Sequence, residues 1–388
     1  MPAPVPCSPA AADLPPDDLL REAFLRLPPE PRHLRAASLV CRRWRRLVRD
    51  PAFLRSFRAF HRTPPVLGFF ENLCSIQPRI GSYTCFVPTA GVSGLVLPDP
   101  ERMREVLDCR HGRVLFHSHG ERGLLVVWDP MACDTRYVSS PPWSKGGDAT
   151  AAVVCADGHH DHTDCHSSPF HIVFVESTNV DYHDCLVSAC VYDSEAGIWG
   201  GVTTIASPSA ISSDDASVFV GNSLYWLLDF AGEGRASHIL QFDLYSQRLA
   251  LIELPEGVRD DYNDIHLMPA EDGSIGFVHI KESTIHFWTR RHHYREVAAE
   301  WALLRMVDLR KFTSPGLAAR DMLRTTVVGF SEDSDVLFVQ SGAYVFTMSI
   351  RSMQLREVPY ASGSTIYPYS RFYTPGCDIV GLDDSTEQ

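Results

Sequence analysis

Hydrophobic periodicity changes once along this chain, at Thr63-Pro64-Pro65. Before that point apolar residues recur at helical spacing. From residue 66 onward they fall in short alternating or continuous runs of about four to eight residues, separated by turn clusters. A chain that switches period in this way builds a helical piece and a β piece, not one mixed core. At 388 residues it also exceeds the usual size of a single core, so two domains are expected.

The helical piece starts on Leu14-Pro15-Pro16, an extended entry, and Asp17-Asp18 place carboxylates where they complement the dipole of a first helix. Leu19, Leu20, Ala23, Phe24 and Leu27 then share one helical face, and Pro28-Pro29 stop it. A second helix is expected from about Pro31, carrying Leu34, Ala37 and Ser38. A third is expected from about Cys41, with Val40, Trp44, Leu47 and Val48 inward and Arg42, Arg43, Arg45, Arg46 and Arg49 outward. Pro51 is expected to end it, leaving Phe53, Leu54 and Phe57 as an apolar tail. So short a segment has too little interior to cover its own leucines, and it reads as half of an interface.

The β piece is rich in β-branched and aromatic runs such as Arg113–Phe116, Leu124–Trp128, His171–Val175 and Val336–Val339. A degenerate repeat runs through it: an apolar strand, a turn at Asp or Ser, then a second strand. The turns fall at Asp129, Asp193, Asp243, Asp308 and Ser349. Hairpin residues precede most units, at His111-Gly112, Gly221-Asn222 and Asp272-Gly273. The period lies near the ~50 residues of kelch-type blades, so a propeller-like domain of about six blades is expected rather than a sandwich or barrel.

Charge divides at the same hinge. Residues 1–62 hold twelve basic and six acidic residues, whereas the remainder holds 23 and 42. The acidic majority argues against nucleic acid as a partner. No run approaches the ~18–20 apolar residues of a membrane helix, and the N-terminus lacks a cationic start and an apolar h-region, so neither a membrane partner nor a signal peptide is expected. Eleven scattered cysteines without a C-x-x-C pair read as reduced core residues of a cytoplasmic or nuclear protein. Only three lysines (Lys145, Lys281, Lys311) stand against 32 arginines, a bias that fits a GC-rich genome.

Two clusters carry ligand-type side chains. Gly158–His166 holds four His, two Asp and one Cys, but its compact spacing has no distant partner cluster to complete a tetrahedron, and an exposed connecting loop is expected. Asp260-Asp261-Tyr262-Asn263-Asp264 lacks the order of a calcium loop. Arg290–Arg295 is the one basic patch of the β piece. No G-x-S-x-G, H-E-x-x-H, P-loop or G-x-G-x-x-G occurs, so no metal, cofactor or enzymatic activity is expected.

The helical piece closely resembles the F-box, on Leu14-Pro15, Asp18-Leu19-Leu20, Leu25, Leu27-Pro28, Leu34, Ser38–Cys41, Trp44–Leu47 and Asp50–Phe53. The family often has Glu-Ile where this chain has Ala23-Phe24. The whole chain resembles plant F-box proteins with an F-box-associated, kelch-like propeller, on Asp108–Phe116, Val127–Pro130 and Gly221–Trp226. The resemblance implies an α+β multidomain protein: a short disordered N-terminus (1–12), an F-box over 13–62 and a propeller-like substrate reader over 63–388. It also implies docking on a Skp-type adaptor of a cullin ubiquitin ligase, with the ligase chemistry on other subunits. The docking residues would be Leu14, Pro15, Leu19, Leu20, Leu27, Pro28, Leu34, Val40 and Trp44. Strong negative charge on the reader points to a protein target with a basic segment, met by Asp260, Asp261 and Asp264. The competing class is a kelch-like propeller enzyme or small-ligand binder with an accessory helical segment.

Overall fold

In a computed structural model the described residues are 15–74, 82–89, 95–118, 123–156, 168–180, 184–212, 215–229, 236–259, 265–291, 299–311, 325–342, 344–358 and 365–373. They fall into two compact units. Residues up to Pro65 form the first together with Phe372 and Tyr373, and Val66–Arg371 form the second.

The first unit holds four helices: α1 (Asp17–Leu25), α2 (Pro31–Val40), α3 (Arg42–Val48) and α4 (Pro51–His61). Pro51 therefore opens a helix instead of ending one. Its fixed φ suits the first helical position, where no amide hydrogen is needed, and the Asp50 side chain accepts from the Ala52 amide to cap the turn. Cys41 breaks α2 from α3 with extended backbone, and its Sγ accepts from the Trp44 amide. The supposed tail is core: Phe53, Leu54 and Phe57 are buried with Leu20, Phe24, Leu34, Ala37, Leu47 and Val48, and Phe372 and Tyr373 complete the cluster.

The second unit is an all-β propeller of six antiparallel sheets. The chain first lays down β1 (Val66–Cys74) and β2 (Ser82–Pro88), then four strands β3 (Glu105–Arg110), β4 (Arg113–Ser118), β5 (Leu124–Asp129) and β6 (Asp134–Ser139), the first complete sheet. The second is β7 (Asp148–Cys155), β8 (Phe170–Asn179) and β9 (Cys185–Asp193), with β10 (Ile198–Trp199) and β11 (Thr203–Ser207) both along β9. In the third, β12 (Ala210–Ile211) and β13 (Val218–Val220) both lie along one edge of β14 (Ser223–Asp229), followed by β15 (Ala236–Asp243) and β16 (Arg248–Glu253). The fourth is β17 (Ile265–Pro269), β18 (Ile275–Lys281), β19 (Thr284–Arg291) and β20 (Glu300–Asp308). The fifth is β21 (Thr325–Ser331), β22 (Val336–Ser341), β23 (Tyr344–Ser349) and β24 (Leu355–Val358). The last strand, β25 (Ile366–Ser370), pairs with β1, so the sixth sheet is sewn from both ends of the unit.

Each sheet is covered on both faces by its neighbours, which explains why β8 and β14 read as nearly continuous apolar runs. Six separate apolar clusters fill the spaces between successive sheets, and the ring closes through Phe70, Tyr367 and Tyr369 against Val106, Phe116 and Trp128.

The repeat read from sequence matches the sheets at four of its five turns. Asp129, Asp193, Asp243 and Ser349 each end the strand before the final hairpin of a sheet. Asp308 instead ends β20, an outermost strand, so that unit was out of phase. The repeat's turn aspartates act as caps: Asp129 accepts from the Met131 and Ala132 amides, and Asp193 from those of Glu195 and Ala196. At the β3–β4 hairpin, Gly112 has φ +74° and Arg371 lies where a Cβ would be, so both conformation and space require glycine.

Candidate functional site

The helical unit divides the expected docking residues into two sets. Leu20 and Leu34 are buried, and Leu27 and Trp44 pack partly against the same cluster. Pro15, Leu19, Pro28 and Val40 are exposed, Leu19 by 57% and Val40 by 62%. Val40 thus points away from the interior it was expected to fill. Leu14 lies outside the described residues. Leu39, which the sequence reading did not single out, is exposed by 66%, and Phe60 at the end of α4 by 58%. The available signal was helical phase: on α2 the buried stripe is Leu34, Ala37 and Ser38, and Leu39-Val40 fall off it.

Electrostatics gather the exposed residues. Arg43 Nε donates to Asp17 Oδ1 at 2.7 Å and its Nη2 to the Pro15 carbonyl at 2.7 Å. This holds the start of α3, just after Leu39-Val40, beside the start of α1, just before Leu19. A second tie joins Arg21 to Asp50; the guanidinium hydrogen bond, with the Ala52 amide, holds the Asp50 carboxyl below its usual pKa. Ring contacts run inward from the same place: Phe24 meets Trp44 edge-on at 5.0 Å, and Phe53 meets Phe24 at 6.3 Å. The outcome is a rigid small bundle that keeps four large apolar side chains in water, a pattern that marks an interaction surface.

In the propeller the most concentrated polar cluster centres on Arg110 at the end of β3. Its guanidinium binds Asp108 Oδ2 at 2.7 Å, both oxygens of Glu332 at 2.8 and 3.0 Å, and the Ser217 carbonyl at 2.9 Å. Asp108 also accepts from the Val153 amide, and Glu332 from that of Phe219. These bonds link the first, second, third and fifth sheets. Burial pushes the Asp108 carboxyl up to about 6, against the pull of Arg110. The adjoining cavity is about 30 Å³, room for about one water. With every face of Arg110 engaged, this is a fastening and not a substrate pocket.

A larger hollow of about 220 Å³ lies where the fourth sheet meets the fifth, lined by Met268, Phe287, Leu304 and Ile350, with Arg305 stacked 4.4 Å over Phe287. Among the described residues no group of three His, Cys, Asp or Glu could hold a metal ion. The Gly158–His166 loop and Asp260, Asp261 and Asp264 lie outside the described residues, apart from the strands they join. Those strands show that the long insertions do not share one end of the sheets. Residues 156–169 join β7 to β8 and residues 292–299 join β19 to β20 at the end where β25 finishes, whereas the segment carrying Asp260 enters β17 at the opposite end.

A small helical bundle with an uncovered apolar face, followed by a six-sheet propeller, is the architecture of an F-box protein with a C-terminal propeller. Residues 16–56 match the F-box domain, and residues 105–375 match the family described as F-box protein AT5G49610-like, beta-propeller; the chain belongs to that family. No curated protein matches it. Among solved structures, a subtype N10 neuraminidase-like protein of A/little yellow-shouldered bat/Guatemala/060/2010 is 10% identical over 77% of this chain and 98% of its own, with a TM-score of 0.39. A Synechocystis apocarotenoid oxygenase mutant is 9% identical over 77% and 78%, with a TM-score of 0.38. The extracellular domain of a one-component system from B. thetaiotaomicron is 10% identical over 71% of this chain, which spans 29% of that chain's length, with a TM-score of 0.29. Likenesses this distant carry no functional argument. No described helix is long and apolar enough to cross a membrane.

Proposed function

We propose that this protein is the substrate-recruiting subunit of a Skp-cullin-F-box ubiquitin ligase, working in the cytoplasm or nucleus. Residues 13–62 dock on the Skp-type adaptor, and residues 63–388 hold a protein target. The observation that carries the reading is the uncovered face of Pro15, Leu19, Leu39 and Val40 on a bundle whose core is already filled by other side chains. Burying such a face against an apolar partner removes it from water at about 25 cal/mol per Å². A Leu19→Ser/Val40→Ser variant should lose a Skp-type adaptor in a pull-down with purified proteins. Retention of the adaptor would overturn the reading.

The chain's part in ubiquitin transfer is positional: it holds a target near a ubiquitin thioester carried elsewhere in the complex. The target is a protein with a basic segment, drawn by the acidic majority of the reader and met by Asp260, Asp261 and Asp264. Attraction of this kind weakens with salt. Changing the three to Asn should slow target capture at low salt and leave thermal stability unchanged; capture insensitive to both the substitutions and salt would remove the electrostatic part of the proposal.

A further inference from the structure

The core of the docking unit is not made by the F-box segment alone. Phe372 and Tyr373, about three hundred residues downstream of α4, are buried to 3% and 7% exposure in its apolar cluster. Phe372 meets Phe57 edge-on at 6.3 Å, Phe57 lies 6.0 Å from Phe53, Phe53 6.3 Å from Phe24, and Phe24 5.0 Å from Trp44. A continuous file of rings therefore runs from Phe372 to Trp44, four residues after the exposed Val40 and one after Arg43, which fixes Asp17 and Pro15. The residue just before Phe372 is itself anchored: Arg371 Nη1 donates to the Gly112 carbonyl and to Asp129 Oδ1, both at 3.0 Å. Before that comes β25, whose pairing with β1 completes the sixth sheet.

Resting on the docking function proposed above, we infer that Phe372 and Tyr373 are positioning residues for adaptor docking, so that the F-box becomes competent only when the last propeller strand has been made and paired. A polypeptide that stops before residue 366 has neither a closed sixth sheet nor a filled helical core, and one that stops at residue 371 still lacks the two aromatic side chains of that core. Small bundles have little stability in reserve, and losing two buried aromatic side chains leaves cavities they cannot repair. Docking is then coupled to a finished reader: incomplete chains do not occupy the ligase.

The test compares the full-length chain with Phe372→Ala/Tyr373→Ala and with the conservative Phe372→Leu/Tyr373→Phe. Affinity for a purified Skp-type adaptor is measured by calorimetry, and the fluorine resonance of fluorotryptophan at Trp44, the one tryptophan of the docking unit, is recorded alongside. The alanine pair should lose at least about tenfold in affinity, as for a lost hot spot, and shift or broaden the Trp44 resonance. The conservative pair should restore both, and hydrogen exchange in β3–β24 should stay as in the wild type. Full affinity and an unmoved Trp44 resonance in the alanine pair would overturn the inference. Absence of adaptor binding by the wild type would instead overturn the docking function; an unmoved Trp44 resonance would then still dispose of the positioning role.

Discussion

The indole N–H of Trp301 donates a 2.7 Å hydrogen bond to the backbone carbonyl of Glu253. Trp301 is the second residue of β20, the outermost strand of the fourth sheet, and Glu253 closes β16, the outermost strand of the third. Trp199 repeats the arrangement two sheets earlier, donating at 2.8 Å to the Ser139 carbonyl between the second and first sheets. Sheets packed only through apolar faces can slide; a directional bond at the rim fixes their register.

Trp301→Phe keeps a ring against Phe277, which Trp301 meets edge-on at 4.9 Å, and deletes only the donor. It should lower stability by about 1 kcal/mol, the usual net worth of one hydrogen bond. Chemical denaturation of the full chain checks this. A loss near zero would mean that water replaces the indole without penalty.

Arg110 is a stronger fastening, since it neutralises both the buried Asp108 and the part-buried Glu332. Arg110→Met keeps most of the volume but leaves both carboxylates facing each other. Breaking one side of a buried ion pair typically costs about 3–5 kcal/mol. The propeller's unfolding midpoint should fall accordingly in urea.

In the function proposed above, self-modification would have three lysine acceptors in this sequence, Lys145, Lys281 and Lys311. All are exposed, and all lie at the end of the sheets where β17 begins, the end entered by the segment carrying Asp260, Asp261 and Asp264. Leu309, two residues before Lys311, donates its amide to the Ser283 carbonyl beside Lys281. Changing all three to Arg should abolish lysine-linked ubiquitin on this chain in a reconstituted reaction without altering adaptor affinity. Mass spectrometry of the conjugates reads the result.

Sequence disclosed the elements better than their partners. The Pro28-Pro29 break, the change of period at Pro64-Pro65 and the hairpin glycines are local chemistry, and each marks a boundary in the fold. Pro51 was misread because one residue can either stop a helix or start one, and only the Asp50 cap distinguishes the cases. Asp308 was misread because an Asp after an apolar strand looks the same whether the strand is third or fourth in its sheet. Leu19 and Leu20 are neighbours of like composition with opposite fates, set by helical phase against α3 and α4. Arg110–Glu332 and Phe57–Phe372 join positions far apart in the chain, and no window of sequence contains either pair.

In the proposed function the docking surface is formed by the exposed apolar residues of the helical unit and not by its buried leucines. Calorimetric titration of a Skp-type adaptor into the full chain and into Leu19→Ser/Val40→Ser, with denaturation curves for both, tests it most directly. The account predicts a binding loss above about 2 kcal/mol, as at an interface hot spot, with stability within about 0.5 kcal/mol of the wild type. Leu20→Ala, by contrast, should lower stability by about 2–5 kcal/mol through the cavity it leaves. Unchanged affinity in the Leu19→Ser/Val40→Ser chain would contradict the account.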